Sequence, residues 1–264
     1  MSLPSGASII QLTYADRRVA KSHVFHDFAA LGIPDSQISM PYSVWVIDSV
    51  DGLVLVDTGF DVTDAYWAGD ADWRTIPAAL DAAGIDSREI TRVVLTHLHF
   101  DHAGNISLFP EARIFLSRHE FEHWIGLPVD DQRAGFVDPA HLDAIMQAQR
   151  DGRVVLTEGR TQVAAGVTMI PAPGHTPGQS AVLVETLGGP RILASDAVHL
   201  FEQLDPGWRF FAFDDTEQYD RSIADLDRLS REVGAPIIPG HDSRVRDRYP
   251  ALPGAAAEFA TMIA

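Results

Sequence analysis

Apolar residues fall in short runs along this chain. Most of the runs are rich in Val, Ile and Leu and end at Gly, Pro or Asp, which is how strands of a packed sheet read. Ser43-Val44-Trp45-Val46-Ile47-Asp48 and Leu53-Val54-Leu55-Val56-Asp57 are two such runs, and the turn signal Val50-Asp51-Gly52 between them predicts a hairpin. From Trp73 to Ala83 the period lengthens: Ile76, Leu80 and Ala83 share one stripe, so a helix is predicted there, stopped by Gly84. Arg92 to Thr96 then predicts a buried strand, His102 to Phe109 a short helix ended by Pro110, and Arg113 to Leu116 another strand.

Between Arg118 and Arg150 the pattern turns mixed, with Gly126, Pro128 and Pro139 interrupting helical stretches, and this segment reads as an insertion. Strand character returns at Val154–Leu156, Val167–Ile170, Ala181–Val184 and Ile192–Ala194, with Gly188-Gly189-Pro190 as a turn. A helix is predicted from Thr216 to Val233, with Ile223, Leu226 and Leu229 on its apolar face. Strands and helices alternate, and the two halves repeat a hairpin-then-helix rhythm. The expectation is an α/β chain whose residues 1–264 form a single domain, two similar layers closing on one core.

Composition narrows the partners. The 264 residues are 46% hydrophobic, ample for a core, and carry a formal net charge of −17. Such a surface repels nucleic-acid phosphates and anionic membranes, so small neutral or weakly charged molecules fit better. The chain has no cysteine. Disulfides and thiolate ligation are thereby excluded, and any metal must be held by imidazole and carboxylate. The first residues lack a basic start followed by a long apolar stretch, and no run of about 18 apolar residues occurs, so a soluble, cytoplasmic protein is expected.

The chemistry concentrates in Thr96-His97-Leu98-His99-Phe100-Asp101-His102-Ala103-Gly104, which places three histidines and an aspartate within six residues directly after Val93-Val94-Leu95. At a strand end His97 and His99 project from one face, which lets two imidazoles reach one ion. Asp101 and His102 fall where the chain turns and can face a second. Ordinary polar loop residues do not take this spacing. Three later loops each offer one more donor: Pro173-Gly174-His175-Thr176-Pro177-Gly178, Ser195-Asp196-Ala197 and Pro239-Gly240-His241-Asp242. Each is weak alone. Together with the first cluster they make five histidines and two aspartates, enough for two ions.

On these motifs the chain, from Asp57-Thr58-Gly59 through His241, resembles the metallo-β-lactamase superfamily. The resemblance implies a four-layer αβ/βα sandwich with metals in a cleft at one edge of the paired sheets. His97, His99 and His175 would hold the first ion, Asp101, His102 and His241 the second, and Asp196 would bridge both. The β-lactamases proper commonly place cysteine at the position of Asp196, so antibiotic hydrolysis is disfavoured; the lactonase and glyoxalase II branches use aspartate. Imidazole and carboxylate suit zinc, and also iron, manganese or cobalt. Two ions about 3.5–4 Å apart can share a water and lower its pKa to about 7, giving a bridging hydroxide nucleophile. Asp101 would relay a proton to the leaving alkoxide. Asp57 either orients a ligand loop or is simply a turn aspartate after a strand.

Within the superfamily the phrase Leu95 to Asn105, the ending Pro239-Gly240-His241-Asp242 and the stretch Ser195 to Glu202 are most similar to N-acyl-homoserine lactonases and their relatives, including 4-pyridoxolactonase. That resemblance implies a lactone substrate, quorum quenching, and a homodimer in which the N-terminal loop and the insertion cover the cleft. One position departs. Lactonases often carry a tyrosine three residues after the bridging aspartate, and here it is His199, which either donates a hydrogen bond to the substrate carbonyl or packs as an ordinary histidine. His23, His26, His119, His123 and His141 follow no ligand pattern and read as structural. Phe201, Trp208, Phe210, Phe211 and Phe213, with Phe25 and Phe28, form either an apolar pocket wall or core. The alternatives to a lactonase are a glyoxalase II-like thioesterase, a phosphotriester or other ester hydrolase, and a metal-binding redox or regulatory protein on the same scaffold.

Overall fold

The structure, a computed structural model, describes residues 8–60, 72–127 and 136–264. Its strands are β1 (Ser8–Ala20), β2 (Gln37–Ser49), β3 (Gly52–Val56), β4 (Asp72–Trp73), β5 (Ile90–Leu95), β6 (Arg113–Ser117), β7 (Val154–Thr157), β8 (Thr161–Ala164), β9 (Val167–Pro171), β10 (Ser180–Val184), β11 (Arg191–Ser195), β12 (Ile237–Pro239) and β13 (Ala260–Met262). The first sheet runs β13-β1-β2-β3-β5-β6-β7 with β4 on β1, and the second runs β12-β11-β10-β9-β8.

Alternation along the strands builds the layers, because successive side chains leave a strand on opposite faces. Trp45, Ile47, Val54, Val56 and Val94 of the first sheet meet Val167, Met169, Val182, Val184, Leu193 and Ile238 of the second in one buried interface. Their neighbours Val44, Val46, Leu55, Val93 and Leu95 point the other way, onto Ile76, Ala79 and Leu80 and onto Trp124, Ile145 and Ala148. Ile170, Ala181, Ile192 and Ala194 cover the outer face of the second sheet with Leu226 and Leu229. Those last two belong to the helix Thr216–Val233, which Asp215 caps by accepting from the Gln218 N–H and Gly234 ends in the left-handed region. The architecture is therefore helix, sheet, sheet, helix, the expected αβ/βα sandwich. No helix among the described residues is long and apolar enough to cross a membrane.

Several predicted elements shift. The helix expected from Trp73 spans Ile76–Ala82 instead: Thr75 caps it, Pro77 sits in its first turn, and Trp73 pairs in β4 with β1. The helix expected at His102 to Phe109 is two short pieces, Phe100–Ala103 and a 3-10 turn Ile106–Leu108. Within 118–150 the described residues form the helices Arg118–Gly126 and Pro139–Arg150, while 128–135 lie outside the described residues. Because β6 and β7 are parallel neighbours, this stretch is the crossover such a pair needs.

Parallel pairing of β3 with β5 and of β11 with β12 brings the carboxyl ends of four strands to one edge of the sandwich. Loops there converge on a rigid frame, the usual place for a site in an α/β protein.

Candidate metal centre

Two strand ends are kinked in the same way. Asp57 after β3 has φ 61° and Ser195 at the end of β11 has φ 47°, left-handed conformations that a non-glycine residue holds only where its surroundings enforce them. Both are fully buried and touch, the Ser195 hydroxyl donating to Asp57 Oδ2 at 3.2 Å. Asp57 also accepts from the Thr96 N–H at 2.8 Å and from the Thr96 hydroxyl. The two sheets are thus stitched together directly beneath the His97–His102 loop.

Into this frame project two groups of donors, His97, His99 and His175 in one and Asp101, His102, Asp196 and His241 in the other, the ligand atoms of each lying within 4.8 Å of one another. All seven residues are buried. Asp196 stands between the groups. Its Oδ2 lies 3.4 Å from His175 Nε2 and 3.9 Å from His97 Nε2, and its Oδ1 lies 3.3 Å from His102 Nε2 and 3.1 Å from His241 Nε2.

The outer nitrogens decide what the inner ones offer. His102 Nδ1 is 2.8 Å from Asp57 Oδ2, His175 Nδ1 is 2.9 Å from the Ala212 carbonyl, and His241 Nδ1 is 2.9 Å from the Pro41 carbonyl. Carboxylate and carbonyl oxygens only accept, so each of these Nδ1 atoms carries a hydrogen, and in the neutral ring that binds a cation each Nε2 turns a lone pair inward. The Thr96 hydroxyl gives its own hydrogen to Asp57 and so accepts from His97 Nδ1 at 3.2 Å, which does the same for His97. His97 Nε2 and His102 Nε2 are buried without a hydrogen-bond partner among the described residues. His175 Nε2 and His99 Nδ1 face each other at 3.0 Å. Inward imidazole lone pairs suit a cation, and two nitrogens each about 2.0–2.1 Å from one tetrahedral zinc would lie about 3.3 Å apart, close to this separation. The donor set fits divalent ions.

A family model described as the metallo-beta-lactamase superfamily matches residues 40–241. The chain belongs to that superfamily. Among curated relatives, the N-acyl homoserine lactonase AttM of Azorhizobium caulinodans is 30% identical over 211 residues, 73% of this chain and 73% of its own length. Solved structures with the same fold include a quorum-quenching N-acyl homoserine lactone lactonase, with a TM-score of 0.76 at 22% identity over 96% of this chain and 99% of that one. Another is AidC, a dizinc quorum-quenching lactonase, with a TM-score of 0.72 at 21% identity over 92% of this chain and 90% of that one. The superfamily match and the two clustered donor groups support a divalent metal centre in this chain.

The superfamily centre here is electrostatically two-sided. Burial holds His97 and His99 well below the ordinary imidazole range and lowers His175 as well. Burial acts on His102 in the same direction, but the carboxylates of Asp101, Asp196 and Asp57 overcome it and leave this histidine well above its usual value. His241 is likewise raised, by Asp196 first, against burial. The carboxyl of Asp196 sits well below the carboxylate range because the facing His241, His102 and His199 outweigh its burial.

His199 is in the centre too. It is almost fully buried, with Nε2 3.0 Å from Asp196 Oδ2, and its ring stacks on Phe210 at 3.5 Å between centroids. Burial pushes its pKa down to about 3. A cavity of about 230 Å³ opens on Asp101, Asp196, His199 and His241 between Tyr42, Met40 and Phe210. An adjoining cavity of about 250 Å³ lies between Trp124, Phe136, Phe211 and Phe213. The aromatic stretch therefore divides: Phe210, Phe211 and Phe213 line the cavities, Trp208 packs edge-on against Phe25, and Phe201 lies under the Arg248 guanidinium. His23, read as structural, lines the first cavity.

Glu120 escaped the reading of the sequence. From the crossover helix Arg118–Gly126 it accepts from the Leu98 N–H, the Trp124 indole, the Thr176 hydroxyl and the Gly178 N–H at 2.6–3.0 Å. It thereby ties the His97–His99 loop to the His175 loop. On the far side of the latter, a Cβ on Gly174 (φ +130°) would stand 2.2 Å from the Tyr219 nitrogen, so only glycine lets the helix Thr216–Val233 come this close.

Proposed function

We propose that this chain is a dinuclear metal-dependent hydrolase that opens a lactone ring, with an N-acyl-homoserine lactone as the first substrate to try. The observation that carries this reading is Asp196: one buried carboxylate turns an oxygen to each of two complete donor groups. In this reading His97, His99 and His175 hold one ion, Asp101, His102 and His241 the other, and Asp196 both, with zinc suited to the donors. A pair of divalent ions, when bound, supplies Lewis acidity toward the carbonyl and an activated water at neutral pH.

The chain's own residues do the rest. The cavity beside Asp101 and Asp196 takes the ring, and the adjoining aromatic cavity suits an apolar acyl substituent. As the ring C–O bond breaks, the oxygen leaves as an alkoxide and takes a proton from the Asp101 carboxyl, which had received it from the attacking water; the product is the hydroxy acid. Asp57, bound to His102 and Thr96, holds the ligand loop in register. The AttM relative, a lactonase by name, supports the choice of substrate.

The test is to incubate zinc-loaded protein with acyl-homoserine lactones of several chain lengths, simple γ- and δ-lactones and glutathione thioesters, following acid release. Ring opening of the lactones is expected. Turnover of thioesters alone would replace the lactonase reading with a glyoxalase II-like one.

A further inference from the structure

His199 completes a third group with His175 and Asp196, so on distance alone it is a candidate ligand. Its outer nitrogen argues otherwise. The backbone N–H groups of His199 and Leu200 donate to Gln203 Oε1 at 2.7 and 3.1 Å, which fixes that side of the amide as its oxygen. The amide NH₂ is thereby turned to the Tyr219 hydroxyl oxygen, 2.5 Å away. Having accepted from Gln203, Tyr219 has its own hydrogen to place, and the acceptor in reach among the described residues is His199 Nδ1 at 3.3 Å. Nδ1 therefore accepts, and in the neutral ring the hydrogen sits on Nε2. The opposite assignment would bury the Tyr219 hydrogen without an acceptor and turn the Nε2 lone pair toward Asp196 Oδ2.

This is the reverse of His102, His175 and His241, whose outer nitrogens meet oxygens that only accept. His199 Nε2 is buried, lies 3.0 Å from Asp196 Oδ2 but out of good hydrogen-bond geometry with it, and opens on the 230 Å³ cavity. Phe210, stacked at an interplanar angle of 11°, prevents the ring from turning.

We infer that His199 is a hydrogen-bond donor rather than a metal ligand, its Nε2–H held in place by the Gln203–Tyr219 relay and offered to the carbonyl oxygen of the bound ester or lactone. The inference rests on the hydrolase reading for the identity of that acceptor. As water oxygen adds to the carbonyl carbon, the C=O π pair moves onto oxygen, and the hydrogen bond from His199 shortens there while the hydrogen stays on nitrogen. His199 is then a catalytic residue, and Tyr219 and Gln203 are positioning residues acting through it.

Nitrogen NMR of histidine-labelled protein tests the assignment without substrate. The His199 resonance, identified by its loss in His199→Phe, should show a protonated Nε2 and an unprotonated Nδ1 both in the metal-free protein and after zinc addition. Zinc stoichiometry should be the same in His199→Phe as in the parent. With lactone, His199→Phe should lower kcat by about 10²–10³-fold, the range for losing one donor to an oxyanion. His199→Gln, which keeps an N–H, should recover part of the loss, and Tyr219→Phe should lower kcat with KM unchanged and weaken the preference for protonated Nε2. A hydrogen found on Nδ1, a metal-bound Nε2, or one zinc fewer in His199→Phe would overturn the inference. Failure of every lactone to react would instead strike the substrate reading, since the tautomer is read without it.

Discussion

The two donor groups that share Asp196 differ in charge. The first is three imidazoles that burial keeps neutral, and the second sets two carboxylates beside two histidines whose affinity for protons those carboxylates raise. Their supports differ as well. Behind the first stand neutral groups, the Thr96 hydroxyl on His97 and the Ala212 carbonyl on His175; behind the second stands Asp57, a third carboxylate, on His102. The second group therefore attracts a divalent cation more strongly than the first, whose donors are neutral imidazoles. If each group holds an ion, as proposed, the charge around each would set the two ions apart.

The largest effect should come from removing what the groups have in common. Asp196→Ala is expected to leave less than one tightly held ion per chain by elemental analysis. Turnover should fall by about 10³-fold or more, since metal-borne charge stabilisation is worth several kcal/mol and about 1.4 kcal/mol is a factor of ten. Retention of both ions would dissolve the comparison altogether. Next in size is the split between His97→Ala and His102→Ala. Calorimetric zinc titration should show the first variant keeping its tighter binding event and losing the weaker one, and the second variant the reverse. Equal loss of both events in each variant would mean that the groups bind as one unit.

How much of this was legible in the sequence follows from how local each signal is. The seven donors sit in short loops at or near the ends of apolar runs, so their placement marked them as candidates and the family resemblance sorted them into a set, and the structure brings all seven together. The helix Thr216–Val233 was equally plain, because its cap, stripe and terminal glycine are contiguous. β1 was not: Ile9, Ile10, Leu12 and Tyr14 are buried on both faces, and a bulge between Thr13 and Ala15 breaks the period. Nor was Glu120, whose partners Leu98, Thr176 and Gly178 are 22, 56 and 58 residues away. The relay through Gln203 and Tyr219 is likewise invisible until helix and loop are packed. Local motifs announce which atoms meet a metal; the groups that aim those atoms come from anywhere in the chain.

Asp57→Asn sharpens the comparison at intermediate size. The amide can no longer accept from both Thr96 and His102 with full charge, and loss of a partner behind a ligating histidine typically costs about 10–100-fold in metal affinity. The weakening should fall on the tighter zinc event, because Asp57 binds His102, 2.8 Å away, and reaches His97 only through Thr96. Equal weakening of both events would show that Asp57 supports the whole loop rather than one group.

Glu120→Gln should have the smallest effect on metal and its main effect on stability. Four donors face this carboxylate, and a glutamine presents one NH₂ among them, so at least one N–H or O–H is left facing a donor. Hydrogen bonds to a charged group are worth about 1.5–3 kcal/mol each, so a loss of about 2–4 kcal/mol is expected in a urea melt of the metal-free protein at pH 7. Burial, the largest influence, raises the Glu120 carboxyl above its usual range against the pull of those donors. A carboxyl whose folded pKa is raised binds its proton more tightly when folded, so its contribution to stability is greatest below the unfolded pKa and declines as pH rises through the folded one. The gap between parent and Glu120→Gln should therefore change with pH across that window. A gap that is flat from pH 4 to 7 would mean that the carboxylate stays ionised throughout, and that the four donors rather than burial govern the clamp between the two ligand loops.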